Sequence, residues 1–268
     1  LIFETSIINF VFLLSENFKK GESLKKKPFF IVLLAILLTA ELSYSQIVFP
    51  SMAVAGGPTV GWNFISANDL NLELKKAGFP ELSKNGFFTL GGGGFLDLPL
   101  EKNFLRIGAM GVGFSTNKET KVTDSLTKAV SYNFGMGGLS GEYVFSFGIF
   151  DVSLGALFST GTLKLDLYQY GKDHGNYNSI FGELSGNTAS PDITRNFYVR
   201  FYSVQPQAGL GILIKKFVYL RLNAGYLVSA QGNWKVDNDV EVKNFPSGVK
   251  SNGFNINLGI NFGLFFRD

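Results

Sequence analysis

The single histidine of this 268-residue chain, His174, stands beside Asp173 and close to Ser179. An acid, a base and a hydroxyl grouped in this way are the makings of acyl-transfer chemistry, in which an imidazole takes the proton of a serine nucleophile. The group sits in a Gly- and Asn-rich stretch, 171–194, that reads as a flexible loop, whereas a nucleophile and its base must be held on a rigid scaffold. No catalysis is therefore expected. One His in a chain with no Cys also cannot supply a multi-histidine or thiolate metal site. Three glycine runs, 91–94, 108–113 and 135–138, invite comparison with phosphate-cradling loops. Such a loop must lead into a helix whose first amides face the phosphate, and no helix pattern follows any of the three. Their glycines are read as backbone devices for bending and close packing, and no cofactor is expected.

A second set of chemistry-bearing residues is Asp97, Arg106, Glu142, Asp151 and Arg221. What unites them is the face they share once the strands are laid out. Leu258, Ile260, Phe262, Leu264 and Phe266 alternate with Asn257, Gly259, Asn261 and Gly263, which is the period-two pattern of a strand with one apolar and one small, polar face. Val218 to Val228 repeats it, as do the segments around Leu154 and Leu210. Eight such segments are predicted, near 53–66, 86–98, 103–117, 127–147, 150–170, 195–215, 217–232 and 252–266. The five charged residues fall on the polar face, together with Gly155, Gly209, Gly211, Gly225, Gly259 and Gly263. If that face lines a narrow interior, the charges must pair to be tolerated. The bland expectation is a structural ion-pair network; the sharper one is a gate on a narrow polar path.

The connections alternate between tight ones (99–102, 148–149, 216) and long polar ones (67–85, 118–126, 171–194, 233–251). An even number of antiparallel strands with short turns at one end and long loops at the other predicts a transmembrane up-and-down β-barrel. Closure is obligatory in lipid, because hydrocarbon cannot satisfy an open strand edge. Aromatic residues cluster at both strand ends: Phe104, Phe145, Phe147, Phe150, Phe217 and Tyr219 by the turns, and Phe87, Tyr132, Tyr168, Tyr198 and Tyr202 toward the loops. These are read as two interfacial girdles. A soluble ligand-binding barrel alternates just as strictly with its apolar face inward. The polar face here is Gly, Asn, Ser and Gln rather than Lys and Glu, which favours the membrane.

Composition agrees. With 15% aromatic and only 17% charged residues the chain is not disordered, and a formal charge of +3 spread over scattered Lys and Arg offers no nucleic-acid footprint. Residues 24–45 have the layout of a signal peptide: Lys25 to Lys27, an apolar run from Phe29 to Leu38, then Ser43 and Ser45 flanking a cleavage point before Gln46. The run is too short to cross a membrane. Residues 1–23 precede that layout, contain no Met, and are read as an upstream segment; 46–268 is the barrel domain.

The mature chain, over about 53–266, resembles the small eight-stranded bacterial outer-membrane barrels of the OmpA/OmpX/OmpW type. Its last strand, Asn257 to Phe266, is similar to the aromatic-ended signal such proteins present to the outer-membrane assembly machinery, although here Arg267 and Asp268 follow the terminal Phe. The resemblance implies partners in that machinery and in outer-membrane lipid, and carries no motif from which an activity transfers. In the first long loop, 68–78 reads as a short helix with Asn68 as N-cap, Gly78 at its end, and Leu70, Leu74 and Ala77 as one apolar stripe. It is expected to be a lid on the barrel rim, the alternative being a helix that docks a partner or touches lipid. Three functions remain open: a non-enzymatic structural or surface-interaction protein, a narrow transporter for small or apolar solutes, and a soluble periplasmic ligand-binding barrel.

Overall fold

The computed structural model describes residues 52–100, 103–172, 174–186 and 192–266. The leader, the segment before it, Asp173 and the last two residues lie outside these. Eight long strands form the body: β1 (Met52–Ile65), β2 (Phe87–Leu100), β3 (Asn103–Thr123), β4 (Leu126–Phe147), β5 (Phe150–Gly171), β6 (Ile193–Lys215), β7 (Val218–Gln231) and β10 (Gly253–Phe266). Each pairs antiparallel with its sequence neighbour, β7 pairs with β10 across the short hairpin β8 (Lys235–Val236) and β9 (Val240–Glu241), and β10 pairs with β1 to close the ring. Two helices lie in the loops, α1 (Asn68–Lys76) and α2 (Tyr177–Leu184). Pro58 and Pro206 fall where the β1–β10 and β6–β7 ladders skip, as expected of residues without an N–H to donate.

Alternation sets which face is which. At the short-turn end the apolar residues point outward: Leu154, Leu210, Leu258 and Phe262 are each about half exposed, whereas Asn255, Asn257, Asn261 and Gln205 are buried inside. At this end an apolar exterior and a polar interior are the reverse of an apolar-lined ligand barrel. The chain has the architecture of a small outer-membrane barrel, an antiparallel ring whose lipid-facing wall is apolar.

Two expectations need correction. The stretch 118–126 is not a long loop: β3 runs on to Thr123 and turns into β4 through Asp124 and Ser125 alone. Its polar residues belong to strands that have risen above the lipid and face water. Four of the girdle aromatics are also buried inside: Phe104, Tyr219, Phe87 and Tyr132. Each sits at a position whose alternation points inward, so position along the strand misled where phase would have decided. Phe145, Phe147, Phe150, Phe217 and Tyr202 do face outward.

The four strands β3 to β6 have 21 to 23 residues and their neighbours β1, β2, β7 and β10 have 14. At about 3.3 Å per residue the extra length lifts one side of the barrel by roughly 20 Å after allowing for strand tilt. This raised part, the crown, is built the other way round. Its outward rows are Ser115–Asn133–Lys164–Tyr198 and Asn117–Ser131–Asp166–Asn196, and its inward rows are Phe114–Phe134–Leu163–Val199 and Thr116–Tyr132–Leu165–Phe197. Polar outside and apolar inside is the pattern of a water-soluble sheet packing on a core.

Candidate functional site

The lumen holds three stacked layers. In the lowest, next to the short turns, Arg106 of β3 is fully buried and grips Asp97 of β2 with two hydrogen bonds, Nε to Oδ1 at 2.6 Å and Nη2 to Oδ2 at 2.8 Å. The two residues are cross-strand partners, which gives the fork its alignment. Asp151 of β5 stands 3.6 Å from the same guanidinium. Tyr219 of β7 closes the set: its hydroxyl accepts from Arg106 Nη1 at 3.1 Å and donates to Asp151 Oδ2 at 2.8 Å. Phe95 lies under Arg106 with the guanidinium carbon 4.0 Å from the ring centre, adding a cation–π contact. Gly211 is required here, since a Cβ at that position would overlap the Tyr219 hydroxyl.

Above it, Arg221 of β7 pairs with Glu142 of β4, and Gln207 donates to the other Glu142 oxygen at 2.7 Å. From Gln207 a chain of amides runs on through Gln205 and Asn255 to Asn257. A cavity of about 40 Å³ lies beside these groups, bordered among others by Ser140, Glu142, Gln207, Arg221 and Asn223. That volume accommodates about three waters by the usual measure, roughly 10–15 Å³ of accessible volume for each. Arg221 Nε and Asn223 Oδ1 are buried without a protein partner, so the cavity wall offers both a donor and an acceptor.

All five charged residues singled out in the sequence thus come together inside the barrel, as Arg106 with Asp97 and Asp151, and Arg221 with Glu142. What sequence reasoning missed is Tyr219, which links two carboxylates through one arginine. Its inward alternation was the available signal.

The top layer is apolar. Phe87, Phe114, Phe134 and Phe201 stack in succession across β2, β3, β4 and β6, with ring centres 4.4, 5.4 and 5.6 Å apart. Helix α1 closes this layer from one side. Leu70 and Leu74 are buried in the same core as Phe87 and Phe134, each contributing about 1.5–3 kcal/mol of apolar burial. Asn71, also buried, donates to Leu82 O at 3.1 Å and accepts from Leu82 N at 2.7 Å, fastening the following loop. Lys128 of β4 donates to Ala77 O at 2.6 Å and so supplies a cation to the helix C-terminus. Ala77 itself is exposed, because the helix stops at Lys76 and Ala77 is already its C-cap. Asn68 is the first helical residue rather than the N-cap; Ala67 holds that place without a side-chain bond. Farther out on the same loop, Glu81 is held below the usual carboxylate range by its hydrogen bond and charge pairing with Lys84.

From the other side Trp234 and Phe245 stack at 4.2 Å, and Trp234 and Val249 are buried against the core. The β8–β9 hairpin is tied to β6 by Arg195 and Asp237 at 3.1 Å and by Tyr198 donating to Asp239. The remaining loop carries α2, capped by Asn176 accepting from Asn178 N and Ser179 N. None of its residues is buried. His174 does not meet Ser179: its Nδ1 bonds Gly171 O at 2.9 Å and its ring lies 4.2 Å from that of Tyr170. Among the described residues no three His, Asp or Glu gather into a metal-binding group.

No protein-family model matches this chain, and neither does any curated protein sequence. Solved structures that resemble it include Ail, the attachment invasion locus protein of Yersinia pestis, at 14% identity and a TM-score of 0.33 over 79% of this chain and 98% of that one. CarO2 of Acinetobacter baumannii is similar at 9% identity and a TM-score of 0.31, over 80% of this chain and all of the other.

Proposed function

We propose that this chain is an exported outer-membrane barrel that neither conducts nor catalyses, and that its work is surface interaction through the crown and the loops around it. The observation that carries this reading is the filled interior. An ion-paired plug, a small polar cavity and an aromatic core follow one another along the axis, so a solute would have to break a buried Arg–Asp fork and displace a stack of phenylalanines. The charged set then serves as internal scaffolding, since an eight-stranded barrel is just wide enough to be filled by its own side chains. A crown with a packed core presents its loops from a rigid base, which suits recognition.

The export step is assigned to residues 24–45, with cleavage before Gln46, and insertion to recognition of the last strand by the assembly machinery. N-terminal sequencing of protein from the membrane fraction checks the first: a start at Gln46 is expected, and an intact leader contradicts it. The test of function is conductance. Purified barrel in a planar bilayer is expected to give no steady current, and open-channel steps that Arg221→Ala alters would instead establish the lumen as a gated path.

A further inference from the structure

The lipid-facing wall of β4 to β7 is not uniform. Around Phe158 and Tyr202, which stand out as ridges, the small residues Gly137, Thr160 and Ala230, in one cross-strand row with Tyr202, leave an apolar groove of about 730 Å³. The groove ends where the wall turns polar. One outward position above Thr160 and Tyr202 are Thr162 and Arg200, paired across the two strands, and the next row up is Lys164, Tyr198 and Lys235. Outward neighbours along a strand are about 6.6 Å apart, so Arg200 and Lys164 stand side by side at the upper rim. Both are exposed, and neither makes an ion pair with the described residues. Lys235 is partly neutralised by Asp239 at 3.8 Å, and Asp166 is the one carboxylate above Lys164 on β5.

We propose that this wall binds a phosphorylated lipid of the outer leaflet, with an acyl chain along the Phe158–Tyr202 groove and a phosphate on Lys164 and Arg200. The cations sit where the apolar wall gives way to water, which is the height of lipid head groups, and neither makes an ion pair with the described residues. A phosphate there makes charge-assisted bonds to both side chains while its tail covers apolar surface. Four other strands carry no cation at the corresponding outward positions: β3 and β4 have Ser115 and Asn133, and the uppermost outward residues of β7 and β10 are Ala230 and Phe254. The site is therefore one-sided. This inference rests on the membrane placement above and is independent of whether the lumen conducts.

The test is native mass spectrometry of the barrel in detergent micelles, offered bisphosphorylated lipid A, phosphatidylcholine or inorganic phosphate. Preferential retention of lipid A over phosphatidylcholine is expected. Lys164→Gln and Arg200→Gln should each weaken it about fivefold and the double variant roughly 25-fold, from about 1 kcal/mol per surface cation. Ala230→Trp, which fills the groove and leaves the cations in place, should also weaken lipid A, and inorganic phosphate should not compete for it. Equal retention of the two lipids, retention untouched by the double variant, or displacement by inorganic phosphate overturns the proposal. Heat-dependent gel mobility of the same samples reads the barrel itself: absence of a shift in the wild type would defeat the membrane reading, whereas a normal shift without lipid preference defeats only the lipid site.

Discussion

Below the row of Thr162 and Arg200, the barrel hides its polar groups and shows its apolar ones; above it, the same four strands do the reverse. Gly155 and Ser153 of β5 face inward in the lower part, where Leu154 and Phe158 face lipid. Ten residues on, Leu163 and Leu165 are inside, while Lys164 is outside. The backbone does not change, since the β4–β5 and β5–β6 ladders run without interruption. What changes is the surrounding solvent. Burial in this protein therefore cannot be equated with apolarity, and a substitution has to be judged by the half in which it falls.

Five substitutions separate the halves. The largest expected effect is Arg106→Leu, which leaves Asp97 and Asp151 buried without their cation and should cost about 3–5 kcal/mol. The unboiled, folded band on gels should be lost at a markedly lower urea concentration. Phe134→Ala removes the centre of the aromatic stack at a local cost of about 3–5 kcal/mol, yet the folded band should persist while protease cuts appear in the crown loops. Cleavage confined to the native pattern would show the crown to be no separate stability unit. Leu222→Arg on the lipid face should destabilise insertion by about 2–4 kcal/mol, whereas Asn196→Arg, equally outward but in the crown, should change it negligibly; equal costs would erase the proposed boundary. The smallest is Asn176→Ala, which uncaps α2 and should raise amide exchange there by the equivalent of about 1 kcal/mol without altering the rest.

Most of the barrel was readable because period-two alternation is a local property: β1, β5, β7 and β10 lie within one or two residues of their expected bounds. The convergence of Asp97, Arg106, Glu142, Asp151 and Arg221 was readable for the same reason, since a shared phase means a shared face. Their pairing was not, because it depends on cross-strand register and on Tyr219. The crown was missed although its signal is present. In β4 the apolar residues occupy odd positions at Leu139, Tyr143 and Phe145, then even positions at Met136, Phe134, Tyr132 and Val130. The exchange takes place at Gly137 and Gly138, where side chains are absent and the eye tracking alternation loses its phase. In β5 it takes place at Ser159 to Thr162, again among small residues. A one-residue slip of apolar phase within an unbroken strand is thus the mark of a sheet leaving the lipid. Ala77 lies outside the helix although the helical periodicity of the sequence continues through it.

The composition of the crown core also constrains the order of assembly. Ile65 and Phe87 come from one side of the barrel seam, Leu227 and Val249 from the other, and all four belong to one core with the phenylalanines of β3 and β4. Until β10 has joined β1, these groups cannot be gathered, and the chain carries two sets of unburied apolar side chains, those meant for lipid and those meant for the crown. Such an open chain is thus doubly prone to aggregation, and only one of its two liabilities is relieved by the bilayer. The other ends only with ring closure, so the seam joins the two halves of the crown core as well as the two ends of the sheet.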